Sequence, residues 1–147
     1  MQDRVDVFRR VERQYLRDRL GSKGLQMAEG MVIRLLARQG RMRQEDIVHK
    51  LVLDKSVVAR TLARLEEEGL VERAVSDRCR REKLVSLTQA GLESYQYIEH
   101  VLEEWKEICY RGFSPQELKE YSAFLSRITD NVTQYKWSEE EREETHG

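Results

Sequence analysis

Proline occurs once in the 147 residues, at Pro115, and cysteine twice, at Cys79 and Cys109. With so little proline and 36% charged residues, the chain is expected to form long solvated helices. Two cysteines make no disulfide framework and fit a reducing compartment. No apolar run is long enough to span a bilayer, and the N-terminus carries no signal-peptide pattern, so a cytoplasmic protein without a membrane partner is expected. Catalytic signatures are missing as well. There is no Gly-rich phosphate loop, no HExxH and no Ser/His/Asp arrangement, and His49, His100 and His146 lie far apart. His100 and Glu104 stand at i, i+4, but a third ligand would have to come from elsewhere, and a solvated pair is the simpler reading. The expectation is therefore no enzyme, no cofactor and no metal.

Charge is nearly balanced overall, at −1, which taken alone argues against a polyanionic partner. The balance is uneven along the chain. Residues 1–40 carry nine basic and five acidic side chains, a net +4, and residues 41–88 are at +2. The acid is concentrated in residues 89–147, at −7. Such asymmetry permits DNA binding by one face.

What the chain does have is a well-marked helix from Asp54 to Gly69, DKSVVARTLARLEEEG. Asp54 is placed as N-cap, Leu53 and Val58 are spaced as a hydrophobic staple, and Gly69 is a C′ glycine. Val58, Leu62 and Leu65 form its buried stripe. The opposite face carries Lys55, Ser56, Ala59, Arg60, Ala63 and Arg64, small residues and cations suited to close approach to a polyanion. An ordinary solvated face would account for that helix if it stood alone.

Its neighbours change the reading. Gln44 to Leu51, QEDIVHKL, is a second short helix, separated from Asp54 only by Val52 and Leu53. That tight link predicts a helix-turn-helix, although the usual turn glycine is absent. Downstream, Leu70–Val75 and Lys83–Leu87 alternate as strands around Ser76-Asp77-Arg78-Cys79-Arg80-Arg81-Glu82. A hairpin with a basic tip after a helix-turn-helix is a winged helix. Its helix is expected in the major groove and its wing along the backbone or in the minor groove.

LVLDKSVVARTLARLEEEGLVER followed by RREKLVSLTQAG resembles the signature of the MarR family of bacterial and archaeal transcription regulators. The resemblance is tight over roughly 44–91 and extends in layout to nearly the whole chain. It implies a homodimer that binds a palindromic operator in double-stranded DNA, as a repressor. It also implies release by a small-molecule effector, aromatic or anionic, or by oxidation.

The fold class expected is mainly α with a small β-wing, a winged helix-turn-helix joined to a helical dimerisation domain. Residues 1–24 are read as an N-terminal dimerisation helix, 25–88 as the DNA-binding unit, 89–136 as C-terminal dimerisation helices and 137–147 as a frayed acidic tail. Thr88 is the expected N-cap of the first C-terminal helix, whose apolar stripe is Tyr95, Ile98, Leu102, Trp105 and Cys109. Ser114-Pro115-Gln116-Glu117 is a capping box that opens the next.

The DNA contacts expected are Lys55, Ser56, Val57 and Arg60 in the major groove, Gln44 on a phosphate, and Arg78 and Arg80 at the wing tip. Arg64 is assigned to the contact between helix and wing. On the family's pattern, an effector would lie against Met27, Gly30, Met31 and Arg34, with Arg34 pairing an anion; each of these also suits plain helix packing. Gly30 interrupts a helix at a position where the family usually has a bulky residue. Cys79, between Arg78 and Arg80, replaces the family's usual Asp. Its flanking cations favour a thiolate, so a redox-sensing regulator is one alternative. A winged-helix module for protein contact alone is the other.

Overall fold

The computed structural model describes residues 2–75 and 82–146. Seven elements precede the long C-terminal helices: α1 (Gln2–Gly21), α2 (Met27–Gln39), β1 (Met42–Arg43), α3 (Gln44–Leu51), α4 (Lys55–Glu67), β2 (Val71–Val75) and β3 (Lys83–Leu87). Then follow α5 (Gln89–Cys109) and α6 (Pro115–His146). The architecture is mainly α with a small antiparallel sheet, as expected. The sheet has the order β1-β3-β2, with Met42 opposite Val85 and Val71 opposite Leu87. The two-residue β1 is absent from the sequence reading, because a strand so short has no periodicity to detect.

The chain divides into two compact units, residues 1–104 and 105–147. In the first, Val32, Ile33 and Leu36 of α2 are buried with Ile47 of α3, Val58, Leu62 and Leu65 of α4, and Val85 of β3. The stripe expected on α4 is thus the buried one, joined by Thr61, whose Oγ1 donates to the Val57 carbonyl at 2.7 Å. On α5 the buried positions are Ile98, Val101 and Trp105, while Cys109 is half-buried.

Both ends of α4 are set by backbone geometry. Asp54 occupies the N-cap position, and its carbonyl accepts from Val58 N–H at 3.1 Å. Its carboxylate makes no cap hydrogen bond; it is exposed, and acts on the helix through charge and dipole instead. At the other end Gly69 has φ +76°, with Gly69 N–H on the Glu66 carbonyl and Leu70 N–H on the Leu65 carbonyl. That pair of bonds is a Schellman closure. Between α3 and α4 the left-handed position is filled by Val52, at φ 53° and ψ 45°. A β-branched residue there is strained, which explains why the glycine signal is missing while the turn is present.

Thr88 caps α5 as expected. Its Oγ1 accepts from Gly91 N–H at 3.1 Å and donates to the Gly69 carbonyl at 2.7 Å, while its own N–H donates to the Leu70 carbonyl at 3.1 Å. Gly91 lies against the same carbonyl so closely that a Cβ would overlap the Leu70 oxygen and stand 2.9 Å from Leu87 Cδ2.

In the second unit the capping box is reciprocal. Glu117 N–H donates to Ser114 Oγ at 3.1 Å, and Ser114 N–H donates to Glu117 Oε1 at 2.9 Å. These bonds hold the Glu117 carboxyl below its ordinary value. Tyr110 and Tyr121 pack with ring centroids 6.0 Å apart. The helix does not stop at Ser138: α6 runs through the acidic stretch to His146. Glutamates are good helix formers, and Arg142–Glu139 and Lys136–Glu140 pairs at 3.3 and 3.9 Å run along the helix surface.

Gly91→Ala should destabilise the protein by about 3 kcal/mol, roughly 6–12 °C in Tm, because the obstacle is backbone and has little room to move. Thermal unfolding followed by circular dichroism checks this; an unchanged Tm would mean that α5 shifts freely against β2.

Candidate nucleic-acid interface

The polar face of α4 is built as the sequence pattern implies. Lys55, Ser56, Arg60 and Ala63 are exposed and Val57 and Ala59 half-buried, so the helix presents small residues and two cations to solvent. Gln44 opens α3, and its Oε1 is buried without a hydrogen-bond partner among the described residues. Gln44 borders two hollows. One, of about 300 Å³, lies between α3 and Lys55 at the start of α4. The other, of about 220 Å³, is shared with Arg43, Glu82 and Lys83. The two hollows share Gln44 and Glu45, which therefore stand between the root of the wing and the start of α4.

The wing is tied to the helices by two arginines. Arg43 donates from Nε and Nη2 to the Asp46 carboxylate at 3.0 and 3.1 Å, and from Nη1 to Glu82 at 2.8 Å. These bonds, to Asp46 first and Glu82 second, push the guanidinium above its ordinary range. Arg43 is thus a bracket between α3 and β3, a role with no local sequence signal. Arg73 on β2 donates to Glu66 on α4 at 3.0 Å, which holds the Glu66 carboxyl below its ordinary value.

Arg64, expected at the contact between helix and wing, has its Nε 3.2 Å from Glu68 and 3.6 Å from Glu29 of α2, so among the described residues the tie from α4 to the wing strands is the one between Glu66 and Arg73. Arg78, Cys79 and Arg80 lie outside the described residues.

Met27, Gly30, Met31 and Arg34 do come together. With Leu16 and Leu20 of α1 and Ile98, Val101 and Leu102 of α5 they line an apolar cavity of about 120 Å³. At Gly30 a Cβ would stand 3.2 Å from Leu20 Cδ1 and 4.0 Å from Leu20 Cδ2 and Ile98 Cδ1, so the glycine lets Leu20 approach α2 closely beside the cavity. Arg34 already donates from Nε to Glu99 at 3.1 Å, so an anion entering the cavity competes with a carboxylate. His100 Nε2 lies 2.9 Å from Glu104, and no group of three metal-ligating side chains stands together among the described residues.

The MarR family profile matches residues 25–83. The HTH-type transcriptional regulator YwoH of Bacillus subtilis (strain 168) is 31% identical over 99 residues, which cover 67% of this chain and 72% of that one. The chain belongs to the MarR family. A second B. subtilis regulator, YybA, is 25% identical over 89 residues, a match spanning 60% of this chain and 59% of the relative. The fold agrees with that of a MarR-family regulator from Listeria monocytogenes solved in complex with a 26mer DNA. The two superpose at a TM-score of 0.87 with 18% identity, over 93% of this chain and 91% of the other. Residues 25–83 thus enclose the α2–α4 core, β2 and both named ties at the wing root, the winged helix-turn-helix of a MarR-type transcription regulator. No helix among the described residues is long and apolar enough to cross a membrane.

Proposed function

We propose that the chain is a transcription regulator, a repressor, that acts by binding a palindromic operator in double-stranded DNA as a homodimer. The observation that carries the reading is the division of labour among the cations. Arg43 and Arg73 are committed to holding the wing, whereas Lys55 and Arg60 stand exposed on the small-residue face of α4. That face enters the major groove, with Lys55, Ser56, Val57 and Arg60 toward the bases, and Gln44 meets a phosphate. Arg78 and Arg80 extend the contact along the backbone or into the minor groove. The Listeria regulator's complex with DNA supports this mode of action.

The partner for dimerisation is a second copy of the chain. Tyr121, Phe124, Leu125, Ile128, Val132 and Tyr135 are each 42–67% exposed and recur at helical spacing along α6. Val7 and Val11 of α1 are each 50% exposed. Faces this apolar belong in an interface. The cavity against Gly30 and Met31 takes a small aromatic or anionic effector, whose binding releases the operator.

Arg60→Ala should weaken operator binding by about 1–3 kcal/mol and relax the preference at one base position. Mobility-shift titration on selected DNA fragments checks this; unchanged affinity and preference would remove Arg60 from the interface. Sedimentation at micromolar concentration should give the mass of a dimer, and a folded monomer there would end the dimer reading. For the cavity, benzoate titrated against the methionine methyl resonances should shift Met27 and Met31 in the wild type and not in Gly30→Leu. Equal shifts in both proteins would place the effector elsewhere.

A further inference from the structure

Among the described residues Glu29 is the one acidic side chain in the buried core, and the sequence pattern does not single it out. It sits in the first turn of α2, where its Oε1 accepts from Gln26 N–H at 2.9 Å. Its Oε2 is buried with no hydrogen-bond partner among the described residues. Among the described residues its ion-pair partner is Arg64 of α4, whose Nε stands 3.6 Å from Oε1. Glu68, the C-cap of α4, shares that guanidinium and adds a second negative charge. The other elements around α2 meet its buried face with apolar side chains, including Leu20 of α1, Ile47 of α3, Val85 of β3 and Ile98 of α5.

Arg64 follows Arg60 by four residues, so the two guanidinium groups rise from the same side of α4. Arg60 is exposed, while Arg64 is drawn toward α2. A carboxylate in the interior attracts a cation far more strongly than an exposed one such as Glu68, because little water screens it. Arg64 is thus held between two carboxylates, hydrogen-bonded to Glu68 at 3.2 Å and drawn toward α2 by the buried charge of Glu29 at 3.6 Å.

Resting on the DNA-binding reading above, we infer that Glu29 is a positioning residue: ionised, it keeps Arg64 out of the DNA interface, and neutral, it releases Arg64 to a phosphate. Glu29 precedes Gly30, which lines the apolar cavity on α2. Burial raises the Glu29 carboxyl above its ordinary value of 4.5, with Glu68 adding to the rise and the Gln26 N–H and Arg64 opposing it. The folded protein thus holds this proton more tightly than the unfolded chain. The stability that Glu29 contributes is greatest at or below pH 4.5 and falls as the pH rises through its folded value. Release of Arg64 follows the same direction, toward acid.

The test is the salt dependence of duplex binding for the wild type, E29Q, R64A and the double variant, measured from pH 8 down to the acid limit of folding. A glutamine keeps the acceptor for Gln26 N–H and removes only the charge. At pH 8, E29Q should have a log Kd against log salt slope steeper than the wild type by about 0.9 per subunit, one added phosphate contact each. In the wild type the slope should steepen as the pH falls, whereas in E29Q it should stay constant. Both R64A proteins should be shallow, with equal slopes at every pH. The Tm of E29Q at pH 8 should equal or exceed that of the wild type.

If E29Q binds DNA with the wild-type slope and pH profile, Glu29 is a helix cap and nothing more, and the inference is overturned while the DNA reading stands. If none of the four proteins binds duplex DNA, both fall. Should E29Q fail to fold, R64A alone decides: an acid-dependent steepening that survives the loss of Arg64 overturns the role.

Discussion

The backbone carbonyls of Gly69 and Leu70 are the joint on which this fold turns. Within two residues they end α4, begin β2, receive the Thr88 hydroxyl and N–H at the end of β3, and seat the first turn of α5 through Gly91. Four elements meet there with no side chain larger than threonine supplying the bonds. Because backbone groups are bonded to backbone groups, the angle between α4 and the sheet is fixed independently of what the surface residues are. The face of α4 is therefore free to carry small side chains and cations chosen for a ligand.

Around that joint, arginine does two kinds of work. Arg43 and Arg73 brace the wing root against α3 and α4, each through a short bond to a carboxylate on another element. Arg34 and Arg38 share Glu99 of α5. Each of these pairs is partly exposed, so its contribution is to geometry more than to global stability. Each of these guanidinium groups is matched by a carboxylate, whereas Lys55 and Arg60 stand exposed on α4.

Much of this was legible in the residue pattern, and the reasons are local. The helix over 55–67, the hairpin strands and the two caps at Thr88 and Ser114 announce themselves through periodicity and short-range hydrogen bonding, which the sequence carries within a few positions. Long-range pairing is different. Arg43 with Glu82 spans 39 residues, and Arg64 with Glu29 spans 35, so no spacing rule links them. Arg64 stands between Glu68, four residues on, and the distant Glu29, and only the first of these is a spacing the sequence displays. The acidic end of α6 was read as frayed from its polarity, while its i, i+3 and i, i+4 partners and glutamate's helix propensity keep it wound. The four residues grouped for a ligand did meet at one cavity, since all lie on one helix at its own repeat.

Val52 has a consequence of a different kind. A valine held at positive φ is disfavoured by roughly 1–2 kcal/mol relative to an ordinary backbone conformation. That amount is recovered in any excursion that lets the turn between α3 and α4 relax. Such excursions are more populated, by about one order of magnitude, than they would be with glycine at the turn. The helices α3 and α4 are thus joined by a turn with a built-in bias toward opening. Amide protection should be lower around Val52 and Leu53 than in the adjoining turns of α3 and α4.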